Sequence, residues 1–300
     1  MRLTIPPSLQ KLPAATAALL MLASVAAHTA DTRFGLDTEL THDTNVNRAA
    51  YASEEQADDI LAAEAYAARS FRLSYRSGFV VRGGLRLREH REFGDLSNVA
   101  ALGRVAYRFQ PSPGYTSAWI ELAGTVEALR YRDSALRDGA SLSGSVSVGK
   151  YLTDRIRLGA GLGLDDREGR DGALYDLSTT RAWLTLDYRV TPGITVYGST
   201  TWIRGDHVFT ANNPATQSQL GPYSDVIVAD PAFARAFGGA PVTAYRTEAT
   251  TLLFEAGVNI PITGGQALDF GASWFDSEAD RGGGKYDGAT FRIGYLYRFR

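Results

Sequence analysis

The chain has 300 residues, 44% of them hydrophobic, with 31 basic against 33 acidic side chains. That balance leaves no basic surface for nucleic acid, and the lack of any cysteine excludes disulfides, thiolate metal sites and cysteine nucleophiles. Thirty-one glycines and fifteen tyrosines against two methionines favour sheet over helix, and past the N-terminus no apolar run reaches the length of a transmembrane helix.

The N-terminus reads as an export signal. Arg2 and Lys11 supply positive charge, Leu12 to Ala27 is apolar, and Val25-Ala26-Ala27 ends in small residues. Residues 1–27 are therefore expected to be a signal peptide, cleaved near 27–30, and residues 31–300 the mature domain.

From Thr32 onward the pattern has a period of two, the mark of a strand with unlike faces. The first strand sets Phe34, Leu36, Thr38 and Leu40 against Arg33, Gly35, Asp37, Glu39 and Thr41. The second, Asp59 to Tyr75, alternates until Arg69 falls on the side of Phe71, which requires either a bulge or a position above the membrane. A third strand points Arg82, Arg86, Arg88 and His90 away from Val81, Leu85 and Leu87; a fourth points Arg104 and Arg108 away from Val105, Tyr107 and Phe109. Pro111 to Gly114 is a tight reversal, and the fifth strand turns Glu121 and Glu127 inward. In the sixth, Leu142, Val146 and Val148 oppose Ser141, Ser143, Ser145 and Ser147; in the seventh, Leu158, Leu162 and Leu164 oppose Gly159, Gly161 and Gly163, which leave room for neighbouring side chains. The eighth sets Leu184 and Leu186 against Arg181 and Asp187, and the ninth carries Val196 and Trp202 outward.

Residues 207–242 break the rhythm, with four prolines and no alternation, and read as one long loop. Val226, Ile227, Val228, Phe233 and Phe237 argue that it packs inward rather than standing in solvent. The tenth strand spans Tyr245 to Ile260 with Glu255 inward, Pro261 to Gly265 is a turn, and the eleventh turns Asp269 inward. The last strand shows Phe291, Ile293, Tyr295, Tyr297 and Phe299 on one face and Arg292 and Arg298 on the other. Twelve strands joined by alternating short turns and longer loops fit an all-β fold, a transmembrane antiparallel up-and-down β-barrel with its short turns in the periplasm. Such a chain sits in the cell outer membrane, against lipid and lipopolysaccharide.

Asp43-x-Asn45-Val46-Asn47, within Thr41 to Arg48, resembles the first barrel loop of many proteobacterial outer-membrane proteins. It is similar in particular to the barrel domains of the surface-lipoprotein assembly modifier and related TPR-linked porin-like proteins, although the helical repeats that precede such barrels are missing here. The last strand resembles the C-terminal signal read by the barrel-assembly machinery, with Phe291, Ile293, Tyr295, Tyr297 and Phe299 in register and one residue, Arg300, beyond the final aromatic. The resemblance implies that machinery as a partner.

Two readings of the lumen charge stand. Arg82, Arg86, Arg88, Arg104 and Arg108, with Glu121, Glu127, Asp37, Glu39, Arg292 and Arg298, form either a track that guides an anionic solute or a set of pairs that holds the wall together. The expected function is a passive, porin-like channel for a small solute, with an export-associated, non-conducting barrel as the alternative. A hydrolase built on Asp206-His207 or His42-Asp43 is the least favoured reading, and no enzyme activity, metal site or cofactor is expected.

Overall fold

A computed structural model describes residues 31–170, 173–212, 214–239, 241–282 and 284–299. The expected signal peptide and Arg300 lie outside the described residues. The strands are β1 (Asp31–Asp43), β2 (Asp58–Arg72), β3 (Ser77–His90), β4 (Asn98–Phe109), β5 (Trp119–Tyr131), β6 (Gly139–Tyr151), β7 (Ile156–Gly169), β8 (Leu177–Arg189), β9 (Thr195–Ala211), β10 (Val226–Asp230), β11 (Val242–Thr263), β12 (Gln266–Ala279) and β13 (Lys285–Phe299). Each pairs antiparallel with its neighbour, β11 returns to pair with β9, and β13 closes on β1, so twelve staves form a barrel with no free edge. The thirteenth strand, β10, is a short addition on the upper part of β11, where Val228 faces Ala244.

The closing seam runs from Phe34 opposite Phe299 to Asp43 opposite Thr290, which puts the start of β1 and the end of β13 on one rim. The connections on that rim are 73–76, 110–118, 152–155, 190–194 and 264–265; the opposite rim carries 44–57, 91–97, 132–138, 170–176, 212–241 and 280–284. The first set is the periplasmic side. Large apolar residues such as Phe34, Leu85, Leu122, Leu162, Phe254 and Phe291 stand exposed on the outer face, where lipid replaces water as their solvent. No helix among the described residues is long and apolar enough to cross a membrane; the strands do so.

Several expectations need correction. The reversal at Pro111 to Gly114 is not tight: the connection runs from 110 to 118, and Tyr115 stacks on Tyr151 at 4.6 Å to hold it. Pro261 lies within β11, not in a turn, and the register shifts between Pro261 and Thr263, where proline lacks the donor to continue the ladder. Arg69 marks no bulge, because β2 pairs without interruption on both sides. It sits near the periplasmic rim with its guanidinium 5.2 Å from the Phe71 ring, which Phe79 covers from the other side at 4.6 Å.

The largest correction concerns residues 207–242. The first five continue β9, and the remainder holds a short helix (Pro214–Leu220), two 3-10 turns and β10. Proline and glycine hid that structure, since its elements are too short to show a period. Phe233, Phe237, Val226 and Val228 pack inward as expected, whereas Ile227 stands exposed.

Candidate functional site: lumen and extracellular mouth

The inward residues of β3 to β5 form one set of ion pairs. Arg82 reaches Glu64 at 2.5 Å and Asp37 at 3.5 Å, Arg86 pairs with Glu127, and Glu121 takes both Arg104 (3.2 Å) and Arg108 (2.8 Å). Arg82 and Arg104 lie directly opposite each other across β3 and β4. That like-charge contact is relieved because each guanidinium turns to a carboxylate on its far side. Arg88 makes no ion pair among the described residues.

The second set joins the seam to β9, β11 and β12. Arg292 meets Glu255 at 2.6 Å, Asp269 at 3.4 Å and Glu39 at 3.8 Å, and donates to the Tyr197 hydroxyl, which in turn donates to Asp269 at 2.8 Å. Three carboxylates thus surround one arginine, whereas Glu121 is shared by two. Asp37 pairs with Arg82 rather than with the arginines of the last strand, and no ion pair holds Arg298 among the described residues. The lumen therefore carries local charge excess of opposite sign on opposite walls.

The room expected at lumen glycines is filled beneath these charges by aromatic rings. Inward aromatics stand directly opposite glycines: Tyr66 opposite Gly35, Trp119 opposite Gly149, Trp183 opposite Gly161 and Tyr197 opposite Gly257. At each of these glycines an added Cβ would overlap the ring, so the ring lies across the bare backbone. An arginine then covers the other face, with Arg82 3.6 Å from the Tyr66 ring, Arg108 5.4 Å from Trp119, Arg181 5.4 Å from Trp183 and Arg292 6.0 Å from Tyr197. The signal was an aromatic of inward parity, but pairing it with its glycine requires the strand register. Gly161→Ala is expected to cost about 1–3 kcal/mol by forcing Trp183 off its seat. Gly144→Ala, where nothing lies within 4 Å, should be close to neutral; urea midpoints of the two variants check this.

The side chains of Arg104, Arg108 and Arg157 are 46%, 59% and 47% exposed although all point inward, whereas Arg86 and Glu127 are 26% and 19% exposed.

At the extracellular end the barrel is packed instead. Phe209, Tyr245, Phe275 and Tyr286 face inward from four staves and form a core with Leu220 of the short helix, against which Ala50 packs. Asp43, Asn45 and Asn47, the residues behind the family resemblance, are buried here. The Asn45 amide accepts from the Ala49 backbone N–H and donates to the Asp287 carbonyl, both at 2.8 Å; Arg48 grips Asp43 through two bonds of 2.8 and 3.0 Å. A third cluster holds the Arg137–Asp230 pair, joined at 2.5 and 3.0 Å, with the guanidinium 5.0 Å from the Tyr175 ring and 5.5 Å from Phe233. Burial works against the Arg137 charge, but Tyr175 and Asp230 more than offset it and hold its proton above the ordinary arginine range. Burial pushes the Tyr175 hydroxyl up to about 12, so it stays neutral beside that pair.

The histidines do not assemble the couples considered for a hydrolase. His207 points into the barrel, with ring nitrogens 3.0 Å from the Gly205 carbonyl and 2.8 Å from the Thr251 hydroxyl, while Asp206 has the opposite parity and accepts from the Ser178 backbone N–H. His42 pairs with Asp59 on the outer face, and Asp43 turns inward to Arg48. Adjacent residues of a strand face opposite sides, which separates both couples.

No protein-family model matches the chain, and neither does any curated protein, so the likeness over Thr41 to Arg48 remains a local one. Among solved structures the chain is similar to the COG4313 outer membrane channel from Pseudomonas putida F1, at 12% identity and a TM-score of 0.58, over 92% of this chain and 98% of that one. Looser likenesses include the KdgM porin (9% identity, TM-score 0.44, 89% and 99% covered) and the NanC porin (11%, 0.45, 87% and 98%). With its apolar outer belt, closed sheet and asymmetric rims, the protein is a bacterial outer-membrane β-barrel.

Proposed function

We propose that this barrel is a passive channel for small solutes, with water and solute moving through a polar lumen lined by paired charges. The observation that carries this reading is the exposure of inward arginines, at 46% for Arg104 and 59% for Arg108. A barrel filled along its whole length would bury Arg104, midway along β4, and twelve staves enclose more than side chains alone fill. Because most arginines are paired, the lining serves first to hold a hydrated wall open. Charge selection comes from the local excess, positive at Arg88, Arg104 and Arg108 and negative around Glu39, Glu255 and Asp269. The reading gives the barrel no catalytic role; Asp206 and His207 face opposite sides of β9, and His42 pairs with Asp59 rather than Asp43. Phe291, Ile293, Tyr295, Tyr297 and Phe299 serve as the assembly signal, and residues 1–27 direct export.

The test is single-channel recording in planar bilayers. Wild type is expected to conduct, and Arg104→Gln with Arg108→Gln, which strands Glu121, should move the reversal potential toward that of the cation. An unmoved reversal potential would assign both arginines to the wall alone. The covered extracellular mouth favours the export-associated barrel as a second reading, and lack of conductance in every variant would support it.

A further inference from the structure

The loop between β3 and β4 and the exit from β9 into β11 lie six staves apart whichever way round the ring one counts, on opposite sides of the mouth. Yet Phe93 from the first meets Phe233 from the second edge to face, with ring centroids 5.1 Å apart. The described residues between 212 and 241 therefore cross the full opening. Along the way they touch every other extracellular connection. The Asn212 backbone N–H donates to Glu54 at 2.8 Å, Phe233 and Phe237 join Phe93 and Val46, and Asp230 holds Arg137. Val226 and Val228 pack with Leu174, and Leu220 lies close against Gly284.

Below this roof lies a hydrated, charged lumen; above it lies the cell exterior. Resting on the channel reading, we propose that the described residues between 212 and 241 are a lid that closes the extracellular mouth and swings open as a unit when the five-residue β10–β11 ladder and the latches at Arg137–Asp230 and Phe93–Phe233 release. Two features suit it to opening. The lid rejoins β11 through Gly238 and Gly239, both in left-handed conformations (φ 66° and 91°) that glycine adopts at no steric cost. The latch at its edge is ionic, and a buried ion pair adds little net stability over apolar packing because separation lets water recover both charges. A permanent plug would need only the apolar clusters.

The chain lacks cysteine, so Phe93→Cys with Phe233→Cys creates the only thiols, and a cleavable bifunctional thiol reagent can tie the lid shut. Conductance in planar bilayers is compared for wild type, the tied protein, Asp230→Asn with Phe233→Ser, and a chain with 213–239 replaced by a short glycine–serine linker. Heat-modifiable mobility on gels shows which variants hold a folded barrel. The unlatched and linker variants are expected to raise time-averaged conductance roughly tenfold or more. Tying should abolish wild-type openings, and cleaving the reagent should restore them. Equal conductance in all four would overturn the lid and leave the channel standing. Silence in all four, including the linker variant, would overturn the channel and the lid with it.

Discussion

Arg137→Met is expected to loosen the roof of the barrel by about 3–5 kcal/mol while leaving the strands closed. Asp230 has no exposed side-chain surface and Arg137 only 8%, so removing the cation strands a carboxylate among Tyr175, Phe233 and the backbone. Among the described residues the other hydrogen bond to that carboxylate comes from the Ala232 backbone N–H at 3.1 Å, too little to replace a bidentate guanidinium. The double variant Arg137→Met/Asp230→Leu should regain most of the loss, since an apolar pair fits the same aromatic cage. Limited proteolysis reads this directly: the single variant should be cut within 212–241, and wild type and double variant should resist. If the single variant resists equally, the pair contributes nothing to the roof.

Asn45→Ala should cost roughly 2–4 kcal/mol, because it leaves buried backbone groups unpaired and a void between them. Asn45 is fully buried, and its amide joins the turn after β1, through Ala49, to β13, through Asp287. Asn45→Asp should be worse, since a carboxylate would face the Asp287 and Ala49 carbonyls where the amide now donates. The comparison is a pair of urea midpoints against wild type, and Asn45→Asp at or above Asn45→Ala would contradict these hydrogen-bond roles.

The barrel was legible because lipid on one side and water on the other enforce a period of two along each stave. Leu142, Val146 and Val148 alternate with Ser141, Ser143, Ser145 and Ser147 for that reason, and the same alternation holds along β1 and β13, which meet at the seam. The mouth was not legible. Arg137 sits in a polar stretch that reads as solvated, yet it is buried by a contact across 93 positions of sequence. β10 is five residues long, too short for a period to rise above chance. The Asp43-x-Asn45-Val46-Asn47 stretch was noticed as a resemblance, but its work is to build a turn that plugs the top of β1 into β9 and β13. The lumen charges were found by parity; their partners and the aromatic–glycine seats needed the register between strands.

The most direct test of a water-filled lumen inside an apolar belt is single-cysteine labelling along β6 in the membrane-embedded protein. A charged, membrane-impermeant thiol reagent should modify Ser143→Cys, Ser145→Cys and Ser147→Cys and spare Leu142→Cys, Val146→Cys and Val148→Cys. Uniform protection of all six would mean a dry, filled barrel, and the inverse pattern would mean the two faces have been assigned the wrong way round.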